Sequence, residues 1–240
     1  MFMEIKELEK LIRQQEGSLS LAFPALMRKV YVWMALALVI TGVTAYGVAS
    51  SPGLTMSICH TPAVMWGIVI AELVIVMSVS AAINRLSLTA ATLLFVLYSV
   101  LNGVTLSLIF MVYTLTSIAS VFFITAGTFA VMAAYGYFTK RDLTSLGKLL
   151  LMALIGLIIA SVVNIFFVKS SGFDLIVSYI GVLIFVGLTA YDTQKIKQML
   201  AMQTDMGEGA QKVALMGALS LYLDFINLFL YLLRIFGRRE

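Results

Sequence analysis

Charge is what this sequence lacks most. Asp, Glu, Lys and Arg make up 12% of its 240 residues, about half the share of a soluble domain. Too little polar surface remains to face water on every side, which excludes an ordinary soluble enzyme and points to lipid as the solvent. A single cysteine, Cys59, excludes an internal disulfide framework and a cysteine metal cluster. The single histidine, His60, lies beside it. Two adjacent residues cannot furnish a zinc shell, so His60 reads as a loop residue without a metal. A cleavable signal is not expected either. The opening MFMEIKELEKLIRQQEGS is charged and helix-like, whereas a signal begins its apolar core almost at once. The first span then serves as the insertion signal.

What is present is apolar: 61% hydrophobic residues and a mean hydropathy of +1.03. A net charge of +4 comes without an aromatic-basic stripe, so nucleic acid is not an expected partner. Each membrane-spanning helix needs about 20 apolar residues, and seven such runs are legible. They cover residues 30–50, 64–83, 90–113, 118–137, 149–168, 175–191 and 213–236. A barrel would instead alternate apolar and polar residues over about ten positions. The fold class is therefore an all-α integral membrane protein. A cytoplasmic N-terminal segment (1–29) precedes a seven-helix domain (30–240). The uncharged stretch 51–63 reads as a loop, with a turn at Ser51, Pro52 and Gly53. Residues 193–212 form the longest internal polar stretch. Gly103 with Ser107, and Ala126, Ala130 and Ala134, form small-residue rows that allow close helix approach in lipid.

Orientation follows from cationic residues. With the N-terminus cytoplasmic and seven spans, twelve Lys and Arg face the cytoplasm. Four face the other side: Lys169, Arg234, Arg238 and Arg239. The C-terminal RIFGRRE runs against this rule, and a re-entrant last run stands as the alternative.

Ionisable groups at membrane depth cost at least about 2.5 kcal/mol each, so those that persist are functional candidates. Glu72, Asp192 and Asp224 are such acids, and Arg85 lies at the inner end of the second span. Each has a plainer reading. Asp192 could cap the sixth span at the interface, and Arg85 could snorkel to headgroups. Glu72 either bonds a neighbouring helix or lines a wet cavity, the cavity being favoured. Asp224, midway between Val213 and Phe236, has the weakest plain explanation. Asn102, Asn164 and Asn227 read as helix glue rather than a path. Counting 1.5 Å per residue puts Asp192 about 25 Å down a core of about 30 Å, and so about 10 Å from the depth of Asp224.

Three segments carry a resemblance: GLTAYDTQKI (187–196), YTLTSIASVFFITAGTFAVMAAYGYFTKRDL (113–143) and above all LSLYLDFINLFLYLLRIFG (219–237). They resemble the Bax inhibitor-1 family, also called the transmembrane Bax-inhibitor-motif family, in its bacterial form. The resemblance implies seven helices with the last one central, and a pH-sensitive calcium leak channel in a bacterial inner membrane. It implies Asp192 and Asp224 as a pH-sensing pair, Arg85 as a latch on the pair, and Glu72 on the ion path. Calcium is then cargo, touched transiently by Glu72, Asp192 and Asp224, and no cofactor is implied. Physics agrees in part, since two carboxylates in a poorly hydrated site share a proton and titrate together.

The alternative function is a regulatory membrane protein that binds a membrane-anchored ATP-dependent protease or a stress or cell-death partner through residues 1–29. An intramembrane aspartyl protease would need Gly-x-Gly-Asp around its second acid, where this chain has Tyr-Leu-Asp-Phe. A retinal sensor would need a lysine in the last span, which residues 213–236 do not contain. The chain is not expected to be an enzyme.

Overall fold

The computed structural model describes the backbone at residues 2–203 and 205–239, and side chains from residue 22 onward except 59, 165, 168, 204 and 240. Met1, the side chains of the N-terminal segment up to residue 21, and that of Cys59 thus lie outside the described residues. Lipid offers a backbone no hydrogen-bond partners, so each apolar run must satisfy its own amides as a helix. The order is α1 (Phe2–Ala49), α2 (Pro52–His60), α3 (Pro62–Ala82), α4 (Leu88–Leu106), α5 (Leu115–Phe138), α6 (Thr144–Val163), α7 (Ser171–Ala201) and α8 (Glu208–Phe236). A 3₁₀ turn, Ser107–Met111, prolongs α4, and a π turn, Asn164–Val168, ends α6. Among the described residues seven helices are long and apolar enough to cross a membrane: the last 28 residues of α1, α4 with its 3₁₀ turn, and α3, α5, α6, α7 and α8.

Several boundaries differ from the sequence reading, two of them in kind. The uncharged stretch after the first span contains α2 rather than a bare loop, started by Pro52 at its first position. The sixth span does not stop near Tyr191 but continues to Ala201. Ile196 and Leu200, one turn apart, are buried while Lys195 and Gln198 stay exposed. One apolar stripe is enough to hold an amphipathic helix against the bundle. At 31 residues, α7 is about 46 Å long, so its last turns stand beyond the apolar core.

α8 is the most enclosed span, with 67% of its apolar window buried against 11–44% elsewhere. It packs against α1, α4, α5 and α7. Its last turn settles the route of the chain. The Thr114 amide donates to the Arg238 carbonyl (3.2 Å), and the Arg238 amide to Ser117 Oγ (2.9 Å). The end of α8 is thus pinned to the α4–α5 connection, while its start lies beside the end of α7. The last run crosses fully, and the re-entrant alternative is discarded.

Close approach is concentrated at a few glycines. A Cβ at Gly103 would come within 2.7 Å of the Thr41 carbonyl of α1, and one at Gly136 would overlap the Ala190 carbonyl of α7. Gly103 therefore packs as its row predicts. The Ala126, Ala130 and Ala134 row does not, since Ala130 and Ala134 are exposed. The packing face of α5 runs instead through Val121, Thr125, Phe129, Ala133 and Gly136.

Candidate functional site

α7 and α8 form an antiparallel hairpin whose register is set by small residues. Gly217 receives Ile196 and Gly181 receives the Tyr231 ring. This brings Asp192 beside Ser220, with the Lys195 ammonium also near it. Asp224 lies one turn beyond Ser220 on α8. Side chains on a helix lean toward its N-terminus. On antiparallel helices the two acids therefore lean toward each other across the one-turn stagger. Asp192 is the charge that acts on Asp224. The register of the hairpin reduces the offset of about 10 Å counted from span lengths to about one helical turn.

The two acids differ in surroundings. Asp192 is half-buried and lies nine residues inside the end of α7, so it does not cap the helix. Asp224 is 5% exposed, and its Oδ2 has no hydrogen-bond partner among the described residues. Buried polar atoms are nearly always paired, so this orphan marks the site. Just beyond Asp192, Gln194 accepts from the Leu143 amide and donates to the Arg141 carbonyl, both at 2.8 Å. Lys197 donates to the Tyr137 carbonyl at 2.7 Å. These bonds fasten the basic α5–α6 connection to the same helix that carries Asp192.

Glu72 belongs to a second polar cluster. Thr105 Oγ1 donates to Glu72 Oε1 (2.6 Å), and Asn102 also faces this carboxyl. Tyr222 Oη donates to Asn102 Oδ1 (3.1 Å) and lies 2.7 Å from Thr41 Oγ1, which reaches the Ser99 carbonyl at 2.9 Å. Glu72 is therefore bonded to a neighbouring helix, the first of its two readings. Tyr222 and Asp224 are two residues apart, about 200° around α8, so the two clusters lie on different sides of that helix. Asn102 and Asn164 act as glue. Asn164 Nδ2 donates to Asp174 Oδ1 (2.6 Å) and to the Ser170 carbonyl (3.2 Å) across the α6–α7 turn.

Arg85 is not brought to the pair in this conformation. It is exposed in the turn after α3, and the same connection meets the first residue of α8, where the Leu88 amide donates to Glu208 Oε1 (2.9 Å). Asp224 is about 24 Å farther along α8. Among the described residues no group of three His, Cys, Asp or Glu gathers to hold a metal. The arrangement offers carboxyl and hydroxyl oxygens of the kind hard cations prefer, spread over two clusters rather than built into one cage.

Thr41, Thr105, Ser220 and Tyr222 escaped the sequence reading. Tyr222 had a signal: it lies in the same short motif as Asp224, where a buried hydroxyl needs partners.

The chain is similar to known proteins over most of its length. Inner membrane protein YbhL of Escherichia coli (strain K12) is 50% identical over 215 residues, covering 89% of this chain and 92% of that protein. A Borreliella burgdorferi protein is 47% identical over 214 residues, with the same two coverages. A Deinococcus radiodurans protein is 38% identical over 236 residues, 98% of this chain and all of its own. The family described as inhibitor of apoptosis-promoting Bax1 matches residues 24–240. By this match and these identities, the chain belongs to the Bax inhibitor-1 family.

Proposed function

We propose that the protein is a passive calcium leak pathway whose opening is set by protonation of Asp192 and Asp224. The observation that supports this most is the orphaned Asp224 Oδ2, buried between α7 and α8 with Asp192 as its neighbouring charge. A buried carboxylate without a donor is costly, and a second carboxylate beside it adds repulsion. One proton shared by the two relieves both penalties. Gain or loss of that proton changes the force between α7 and α8 and so shifts the populations of open and closed arrangements. Calcium is cargo here, Glu72 supplies carboxyl oxygen on the path, and no cofactor or catalysed reaction is needed. Arg85 acts as a latch in a second conformation, in which the α3–α4 turn moves inward toward the pair. The name of the Escherichia coli relative places that protein in an inner membrane, and we assign this chain to the same site with its N-terminus in the cytoplasm.

The test is calcium entry into dye-loaded liposomes across pH. Wild type should show pH-dependent entry, and Asp192→Asn or Asp224→Asn should flatten it. Unchanged pH dependence in both variants would refute the sensor role.

A second reading has its own observation. α1 runs for 48 residues, about 72 Å, far more than a membrane requires. Its charged first turns suit contact with a regulated partner such as a membrane-anchored protease. Removing residues 2–20 should abolish such regulation and leave calcium entry unchanged.

A further inference from the structure

The arginines of the C-terminal RIFGRRE are unexplained by the charge rule and unused by the leak pathway. Around them, between the ends of α6, α7 and α8, lies a cleft of about 470 Å³. Arg234 and Arg239 line it, together with Ser161, Ser171, Asn227 and Tyr231. Asp174 is the acid in its wall, and its Oδ1 is already engaged by Asn164 Nδ2 at 2.6 Å. Among the described residues no ion pair or hydrogen bond occupies either guanidinium. Arg234 lies over the Tyr231 ring, 5.8 Å from its centre.

The placement of Arg239 is fixed by the backbone. After Phe236 the chain leaves α8 at Gly237, where a Cβ would meet the Tyr113 ring at 2.5 Å. Arg238 is then tied to Thr114 and Ser117, and Arg239 makes a bridge to Tyr113. The tail is thus a fastened strap. It holds a second guanidinium over the cleft that Arg234 already lines.

We propose that this cleft binds a phosphate oxyanion, of the kind carried by an acidic phospholipid headgroup or by free phosphate. Two guanidiniums and one engaged carboxylate leave it net positive. The planar guanidinium fork matches phosphate oxygens two at a time, and the hydroxyls of Ser171 and Tyr231 offer further donors, whereas the Ser161 hydroxyl is already given to the Leu157 carbonyl at 2.8 Å. The cleft lies at the ends of three spans, at headgroup depth, with Tyr231 one turn deeper as an interfacial aromatic. An anion here also accounts for two of the three arginines on the face where cations are otherwise scarce.

The full chain, purified in neutral detergent, is titrated with phosphatidylglycerol and with phosphatidylcholine and read by native mass spectrometry. A parallel arm measures the melting temperature with and without millimolar inorganic phosphate. The variants are Arg234→Gln/Arg239→Gln and, as an equal change of charge on the opposite face, Lys140→Gln/Arg141→Gln. Preference for phosphatidylglycerol that weakens about tenfold or more only in the first variant supports the site with lipid as its source. Stabilisation by inorganic phosphate, lost only in that variant, supports it with free phosphate as the source. Equal phosphatidylglycerol binding by both variants, together with no phosphate effect on wild type, overturns it. The outcome is independent of calcium flux.

Discussion

Tyr222 has no surface left in water, yet it carries a hydroxyl into the core and meets Thr41 and Asn102 there. Phe95 and Tyr98 stand edge-on to its ring, each 5.8 Å away between centres. Tyr222→Phe keeps those ring contacts and removes only the bridge. It should lower stability by about 1 kcal/mol, since hydrogen bonds between helices in lipid are worth little more. Denaturant unfolding in detergent reads this, and a cycle with Thr41→Val should show the two losses to be less than additive. The acids were legible in the sequence because a carboxyl in an apolar run is expensive and therefore stands out. Thr41 and Thr105 were not, because threonine is common in spanning helices. The side on which Asp224 faces was not legible either. It depends on how Gly217 and Gly181 seat the neighbouring helix, and a run of apolar letters carries no register.

Helices were legible as runs, and their ends were not. Hydropathy stops where lipid stops, but α7 continues into water on one buried stripe, and that extension carries Gln194 and Lys197 to the α5–α6 connection. Close contacts were only partly legible, because a glycine at an interface looks the same in sequence as one facing lipid. Gly136→Ala puts a methyl into the Ala190 carbonyl and should cost about 3 kcal/mol, the upper end of overpacking. Gly156→Ala, where a Cβ meets nothing within 4 Å, should be neutral or stabilising by up to about 1 kcal/mol. Melting temperatures of the two purified variants separate these cases. The start of α6 gives a pH prediction. The Asp142 carboxylate is held below the usual carboxylate range, first by the Thr144 hydroxyl and then by the Thr144 amide at 2.9 Å. A depressed value means the stabilisation is complete above that range and is lost as pH falls through the lowered folded value. Asp142→Ala should therefore lower the melting temperature at neutral pH, and the difference should vanish in strong acid.

For the whole molecule, the complete crossing of α8 puts the two ends of the chain on opposite faces. The positive-inside bias then predicts the orientation. In a Cys59→Ser background, Lys140→Cys should react with an impermeant thiol reagent only from the cytoplasm, and Lys169→Cys and Arg238→Cys only from the opposite side. Cytoplasmic labelling of Arg238→Cys would contradict the seven crossings. The bundle so oriented encloses two acids in one hairpin, and their coupling is what the leak reading rests on. Calcium entry into liposomes across pH, compared among Asp192→Asn, Asp224→Asn and the double variant, tests it most directly. If the two carboxyls act as one proton-sharing unit, the double variant should show the same flat pH profile as either single variant. Independent effects that multiply in the double variant, or a pH response surviving in it, would contradict the account.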